Sequence, residues 1–193
     1  MQFLDAIFGR KRPIPPSEPL TLEILGAASQ LSQKSVAHFA SEFNVAPSDE
    51  AERAIFLWHA WFGFCVADRT VRRELGRFGI IISEDLRAGL IKALVKAMAP
   101  TATEEERLSL FDGLLRDLHR FEEFFMKFEF PYGEDLRPAA DPLLDAFGAL
   151  VASALSGLEQ TDETAVTGWS SALMYLMLQP KFASIVAPLR TDV

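Results

Sequence analysis

A chain of 193 residues, 49% hydrophobic and 24% charged, is long enough to bury one substantial core and too short to build two. Its formal charge of −8 repels phosphate, which argues against duplex nucleic acid as a partner. The single cysteine, Cys65, excludes an intrachain disulfide and any multi-cysteine metal site, and fits a reducing compartment.

Residues 1–19 read as an amphipathic tip on a proline-rich leash. Met1 to Phe8 is expected to form a short helix with Phe3, Leu4, Ile7 and Phe8 on one side, followed directly by Arg10, Lys11 and Arg12. The basic cluster stands after the apolar residues, the reverse of a secretory signal, so the expected location is cytoplasmic. An apolar face ending in basic residues suits either an anionic membrane surface, at about 1 kcal/mol per basic residue, or a groove on protein. The membrane alternative would place the chain peripherally on the inner face of a membrane. Pro13, Pro15, Pro16 and Pro19 then impose an extended linker, because proline lacks an amide hydrogen and restricts the residue before it. The helical domain is accordingly expected over residues 20–193.

Leu20 to Phe43 has a helical pattern, expected in two pieces separated near Ser29 to Ser35, with Leu22, Leu25, Val36, Phe39 and Phe43 as core candidates. His38 and Glu42 are spaced as a solvated ion pair and lie away from the core residues, so they are not read as metal ligands.

The next stretch organises the rest. From Ala54 to Val66 His59 is the only polar side chain, a run too short to cross a bilayer and long for a strand. Asp49, Glu50 and Glu52 before it and Arg69, Arg72 and Arg73 after it suit the helix dipole, which predicts one helix from Asp49 to Leu75 with Ser48 as its N-cap. At helical spacing Leu57, Phe64, Val71, Leu75 and Phe78 share one stripe, and Ile55, His59, Phe62 and Val66 lie nearly opposite, with Trp58 and Trp61 between. Both faces therefore require cover, from other helices, a second subunit or an apolar ligand. Ile55, Trp58, His59 and Phe62 become candidate ligand or partner contacts.

Gly76 and Gly79 are expected to end this helix, with Ile80 to Ile82 as a buried loop and Ser83 capping the next helix, Glu84 to Ala99. There Leu86, Leu90, Ile91, Leu94 and Met98 face inward and Lys92 and Lys96 outward. Thr103 caps a helix predicted to run to Phe130, with Glu104, Glu105 and Glu106 in its first turn. Phe111, Leu114, Leu115, Leu118, Phe121, Phe125 and Phe128 form its core stripe. Phe124 at the stripe edge and Phe130 pointing away from it are the aromatic contact candidates. His119 and Glu123 sit on the polar side, and Arg116 stands where a dimetal site would need a carboxylate, so no metal site is expected.

Asp141 before Pro142 starts a helix reaching Gly157, with Leu143, Leu144, Phe147, Leu150 and Val151 inward. Its small residues, Gly148, Ala149 and Ala152 among them, predict a close approach to a neighbour. A last major helix runs from Thr161 or Asp162 to Gln179, presenting Trp169, Leu173, Leu176 and Met177 with Met174 and Tyr175 widening its face; Pro180 breaks it. The expected fold is all-α: a single-domain irregular bundle of six or seven helices.

Catalysis needs convergent polar groups, and these core faces supply almost none. His59 is expected as a neutral core histidine donating one hydrogen bond, with an enzyme using it as the least favoured reading. No cofactor or metal is implied. The expected function is a non-catalytic helical interaction domain that binds a protein partner or itself, positioned by the N-terminal tip. The alternative is a carrier or sensor that holds an apolar small molecule between the central helix and the Phe-rich stripe.

Overall fold

Ser48 and the acidic turn after it launch the helix on which the others are assembled. A computed structural model describes residues 16–43, 47–131, 141–154 and 162–192 of the chain. Among the described residues there are seven α-helices and no strand: α1 (Ser17–Phe43), α2 (Asp49–Leu75), α3 (Arg77–Met98), α4 (Glu104–Phe125), α5 (Asp141–Ser153), α6 (Asp162–Met177) and α7 (Gln179–Val186), with a 3-10 turn at Ala187–Asp192. The N-terminal tip, Phe3, Leu4, Ile7, Phe8, Arg10, Lys11 and Arg12 included, lies outside them.

Helix α2 has the predicted bounds. The Ser48 hydroxyl accepts the Ala51 amide at 3.2 Å, and Asp49, Glu50 and Glu52 stand in the first turn with Arg72 and Arg73 in the last. Every residue from His59 to Asp68 is buried, because α1, α3, α4, α6 and α7 all pack against this helix. Trp61, Phe62 and Phe64 alone each remove an aromatic side chain from water, a gain of roughly 1.5–3 kcal/mol for a ring the size of Phe.

The first helix departs from the sequence reading in three ways. It starts at Ser17, with the Leu20 amide donating to the Pro16 carbonyl, and takes Pro19 into its first turn. Proline is tolerated there because first-turn amides have no intrahelical acceptor to lose. It is also continuous through Ser29 to Ser35, where the Ser32 and Ser35 hydroxyls donate to the Ser29 and Leu31 carbonyls behind them. Its buried face is Leu20, Ile24, Ala28, Leu31, Ser35 and Phe39, whereas Leu22 is 66% exposed and Leu25 and Val36 are half-buried. Ser35 meets Ser171 of α6 at 3.4 Å inside this contact.

The corner between α2 and α3 is tighter than expected. Gly76 alone makes it, at φ 56°, a conformation glycine adopts without a Cβ penalty, and α3 begins at the next residue. Ile80 and Ile81 are therefore helical and exposed, Ser83 is buried within the helix instead of capping it, and Phe78, expected on the core stripe, is exposed. Gly79 lies where the new helix crosses the old one: a Cβ there would meet the Val71 carbonyl oxygen at 2.7 Å and the Arg72 Cα at 2.8 Å.

Thr103 opens α4 with a full capping box. Its hydroxyl accepts the Glu106 amide at 3.3 Å while the Glu106 carboxylate accepts the Thr103 amide at 2.8 Å and holds its own pKa below the usual carboxylate value. The helix ends at Phe125, short of the predicted Phe130. Leu114, Leu118, Phe121 and Phe125 form its buried stripe, with Phe111, Leu115 and Phe128 half-buried.

Helices α5 and α6 pair most intimately, as the small residues predict: a Cβ on Gly168 would stand 2.7 Å from the Gly148 Cα. Helix α6 stops at Met177, with Met174 and Met177 exposed and Tyr175 and Leu176 buried. The Gln179 amide then donates to the Pro131 carbonyl at 2.9 Å, tying α7 to the chain that leaves α4. Lys181 pairs with Glu23 at 2.6 Å and Arg190 with Glu74, so the end of the chain closes over α1 and α2. Gly168–Arg190 has the length and apolar content of a membrane span, yet a turn at Leu178 divides it and Phe182 and Val186 enter the core.

Candidate functional site

Three places gather the residues singled out in the sequence or shaped by the fold, and they differ in what they leave accessible. The first surrounds Ile55, His59 and Phe62, all fully buried. Phe62 packs on Phe147 of α5 at 4.4 Å between ring centroids, on Phe125 at 5.5 Å, on Tyr175 of α6 at 5.7 Å and on Phe130 at 6.1 Å. The cover over this face of α2 is thus the chain itself. Rings of α4, α5 and α6 meet Phe62 between the central helix and the Phe-rich stripe. Phe130 corrects the sequence reading: instead of pointing away, it stacks on Phe62, because the helix ends five residues earlier and lets the chain fold back.

His59 donates from Nδ1 to the Ile55 carbonyl at 2.7 Å and meets Phe147 edge-on at 5.3 Å. Burial lowers its pKa to about 4, so the ring is neutral at physiological pH. Its Nε2 and the Tyr175 hydroxyl are buried with no hydrogen-bond partner among the described residues. A general base needs an orienting carboxylate or second histidine and a path for substrate; this ring has a backbone carbonyl and a wall of aromatics. Trp58, half-buried, packs against the same core from its edge.

The second place is a cleft of about 330 Å³ beside Cys65, where the segment after α4 crosses α2. Its charges are already matched. Asp68 takes Arg72 at 2.8 Å, and Glu122 takes Arg87 at 2.8 Å, while the same Arg87 guanidinium holds Glu84 at 2.6 Å and lies over the Phe64 ring. Arg69 covers Phe130, 4.9 Å from its centroid. Burial pushes the Cys65 thiol well above its usual pKa, aided by Glu122 and Asp68, which favours the protonated thiol over the thiolate.

The third place is a groove of about 470 Å³ between α3 and α4. Val95 and Phe111 form its floor and Leu108, 60% exposed, one wall. Lys92 and Lys96, one helical turn apart on α3, stand along the opposite lip. Arg107 closes the end next to the α3–α4 connection by donating to the Ala99 carbonyl at 3.3 Å and the Pro100 carbonyl at 2.6 Å, with Glu104 at the mouth. Among the described residues neither lysine has a carboxylate within ion-pair distance.

No family model, curated protein or solved structure matches this chain. Phe124, the remaining sequence candidate, is 45% exposed at the far end of α4, edge-on to Phe125 with the Lys127 ammonium 6.0 Å from its ring. His119 and Glu123 are exposed on α4, and no group of three potential metal ligands occurs among the described residues. The α3–α4 groove was not among the sequence candidates. Its one signal in the sequence is Leu108, a large apolar residue outside the core stripe and set among charged neighbours.

Proposed function

We propose that this chain is a non-catalytic helical interaction domain whose α3–α4 groove docks an amphipathic helix bearing carboxylates along its flanks. The observation that carries the reading is a local inversion of charge: on a protein of net charge −8, an apolar trough is edged by three cations, Lys92, Lys96 and Arg107, against one carboxylate, Glu104. Helix-in-groove recognition uses apolar anchors at successive turns, and here the trough would take the anchors while the lysines meet acidic residues beside them. The sign of the rim sets specificity, since a basic helix would bring like charges together on desolvation. Arg107 contributes position as well as charge, because its two backbone hydrogen bonds fix it at the groove's end.

Titration with a synthetic amphipathic helix of leucine anchors and glutamate flanks, followed by amide chemical shifts, tests this. The expected result is perturbation centred on Val95, Leu108 and Phe111, lost in the Lys92→Glu/Lys96→Glu double variant and absent when the peptide's glutamates are replaced by lysines. Equal response to both peptides, or shifts centred elsewhere, would remove the reading.

A further inference from the structure

Helix α4 itself carries the pattern that its groove selects. At about 100° per residue, Leu115 lies roughly 20° from Leu108 and Phe111 roughly 60°, making one apolar ridge along the helix, and Asp112 and Glu105 fall roughly 40° and 60° away on its other side. Leu108, Glu105 and Asp112 are exposed, while Phe111 and Leu115 are half-buried. One surface therefore presents both halves of a complementary pair: a ridge with carboxylates along one side, and on its other side a trough lipped by ammonium groups.

We infer that the occupant of the groove is α4 of a second copy of this chain, in a two-fold dimer; the inference rests on the groove reading above. A surface holding both complements can close on itself about a two-fold axis, which satisfies the two patches at once and leaves no open end for further growth. With Leu108 next to the axis, each copy's Lys92 and Lys96 face the Glu105 and Asp112 carboxylates of the other, and each Leu108 enters the other's trough. The two Leu108 side chains lose their exposure together, so one contact supplies both the apolar burial and the charge pairing.

Light scattering on size-exclusion eluate, over a dilution series from about 1 mM down to about 1 μM, spans the range expected for a weak to moderate dimer. The expected result is a dimer mass that falls to monomer on dilution. Lys92→Glu/Lys96→Glu is expected to raise the dissociation constant at least tenfold, and Asp112→Lys, which leaves the α4 cap untouched, to do likewise. Mixing these two charge-reversed proteins is expected to restore a dimer containing one of each, which a general folding defect could not produce; circular dichroism confirms that each is helical. A wild-type protein that stays monomeric throughout overturns the inference, as does a mixture that fails to associate, or charge reversals that leave the dimer unchanged. Where the wild type is monomeric but the acidic peptide still shifts Val95, Leu108 and Phe111, the second copy is excluded and the groove reading stands. Where neither occurs, both fall.

Discussion

Acidification probes the closed core around His59 without touching its packing. In the folded chain the imidazole pKa is held at about 4, against an ordinary 6.5, with desolvation as the main cause and the hydrogen bond to Ile55 opposing it. As pH falls through 6.5 the unfolded chain takes up a proton that the folded chain refuses until about pH 4, so this contribution to stability is intact above 6.5 and is lost on the way down. The full separation is worth roughly 3 kcal/mol, and about 2 kcal/mol of it is already gone at about pH 5. Carboxylates elsewhere add their own pH dependence, so the informative quantity is the difference between wild type and His59→Leu. Urea unfolding followed by tryptophan fluorescence, at about pH 7.5 and about pH 5, should show the variant gaining about 2 kcal/mol relative to wild type across that interval. Parallel pH profiles for the two proteins would mean an imidazole that is hydrated or charge-paired when folded, and would overturn this account of the core.

Glycine substitutions should change sign with position. Gly26→Ala places its methyl in open space and should gain up to about 1 kcal/mol from helix propensity, whereas Gly168→Ala drives a Cβ to 2.7 Å from the Gly148 Cα and should lose about 1–3 kcal/mol, read as opposite movements of Tm. Cys65, buried and held as the thiol, should react with a disulfide reagent far more slowly in native protein than in urea; equal rates would show that the cleft opens to the core. Thr103→Ala removes the capping hydroxyl of α4 and should cost about 1 kcal/mol in a urea titration, with Thr103→Ser restoring most of it.

The helices whose ends carry their own chemistry are legible in the sequence. Ser48 with Asp49, Glu50 and Glu52, and Thr103 with Glu106, fix where α2 and α4 begin, because a cap satisfies amides that nothing else reaches. The close pairing of α5 and α6 was legible too, in Gly148 and its small neighbours. Misreadings fell where the deciding force is not local. Helix α1 is apolar on more than one side, so Leu22 and Leu20 look alike until partners bury one and leave the other at the surface. Gly76 and Gly79 look like one broken stretch, yet only Gly76 adopts a positive φ, and Gly79 serves the crossing of two backbones. Phe130 was misplaced because the helical pattern continues through it, whereas α4 ends at Phe125 and the chain returns over Phe62, a contact sixty-eight residues apart in sequence. The groove was hidden for a related reason: Lys92 and Lys96 are ordinary surface lysines on α3 until α4 brings Leu108 and Phe111 alongside.

Arg107 latched to the Ala99 and Pro100 carbonyls and Arg87 bridging to Glu122 hold α3 and α4 together at opposite ends of their shared length. A trough clamped at both ends has little freedom to collapse when empty or to widen when filled. When a free peptide binds, the entropic cost then falls on the peptide rather than on the receptor, so stiffening it beforehand, for example with a hydrocarbon staple on its solvent side, should tighten binding more than any reshaping of the trough, whereas α4 of a second copy arrives already ordered.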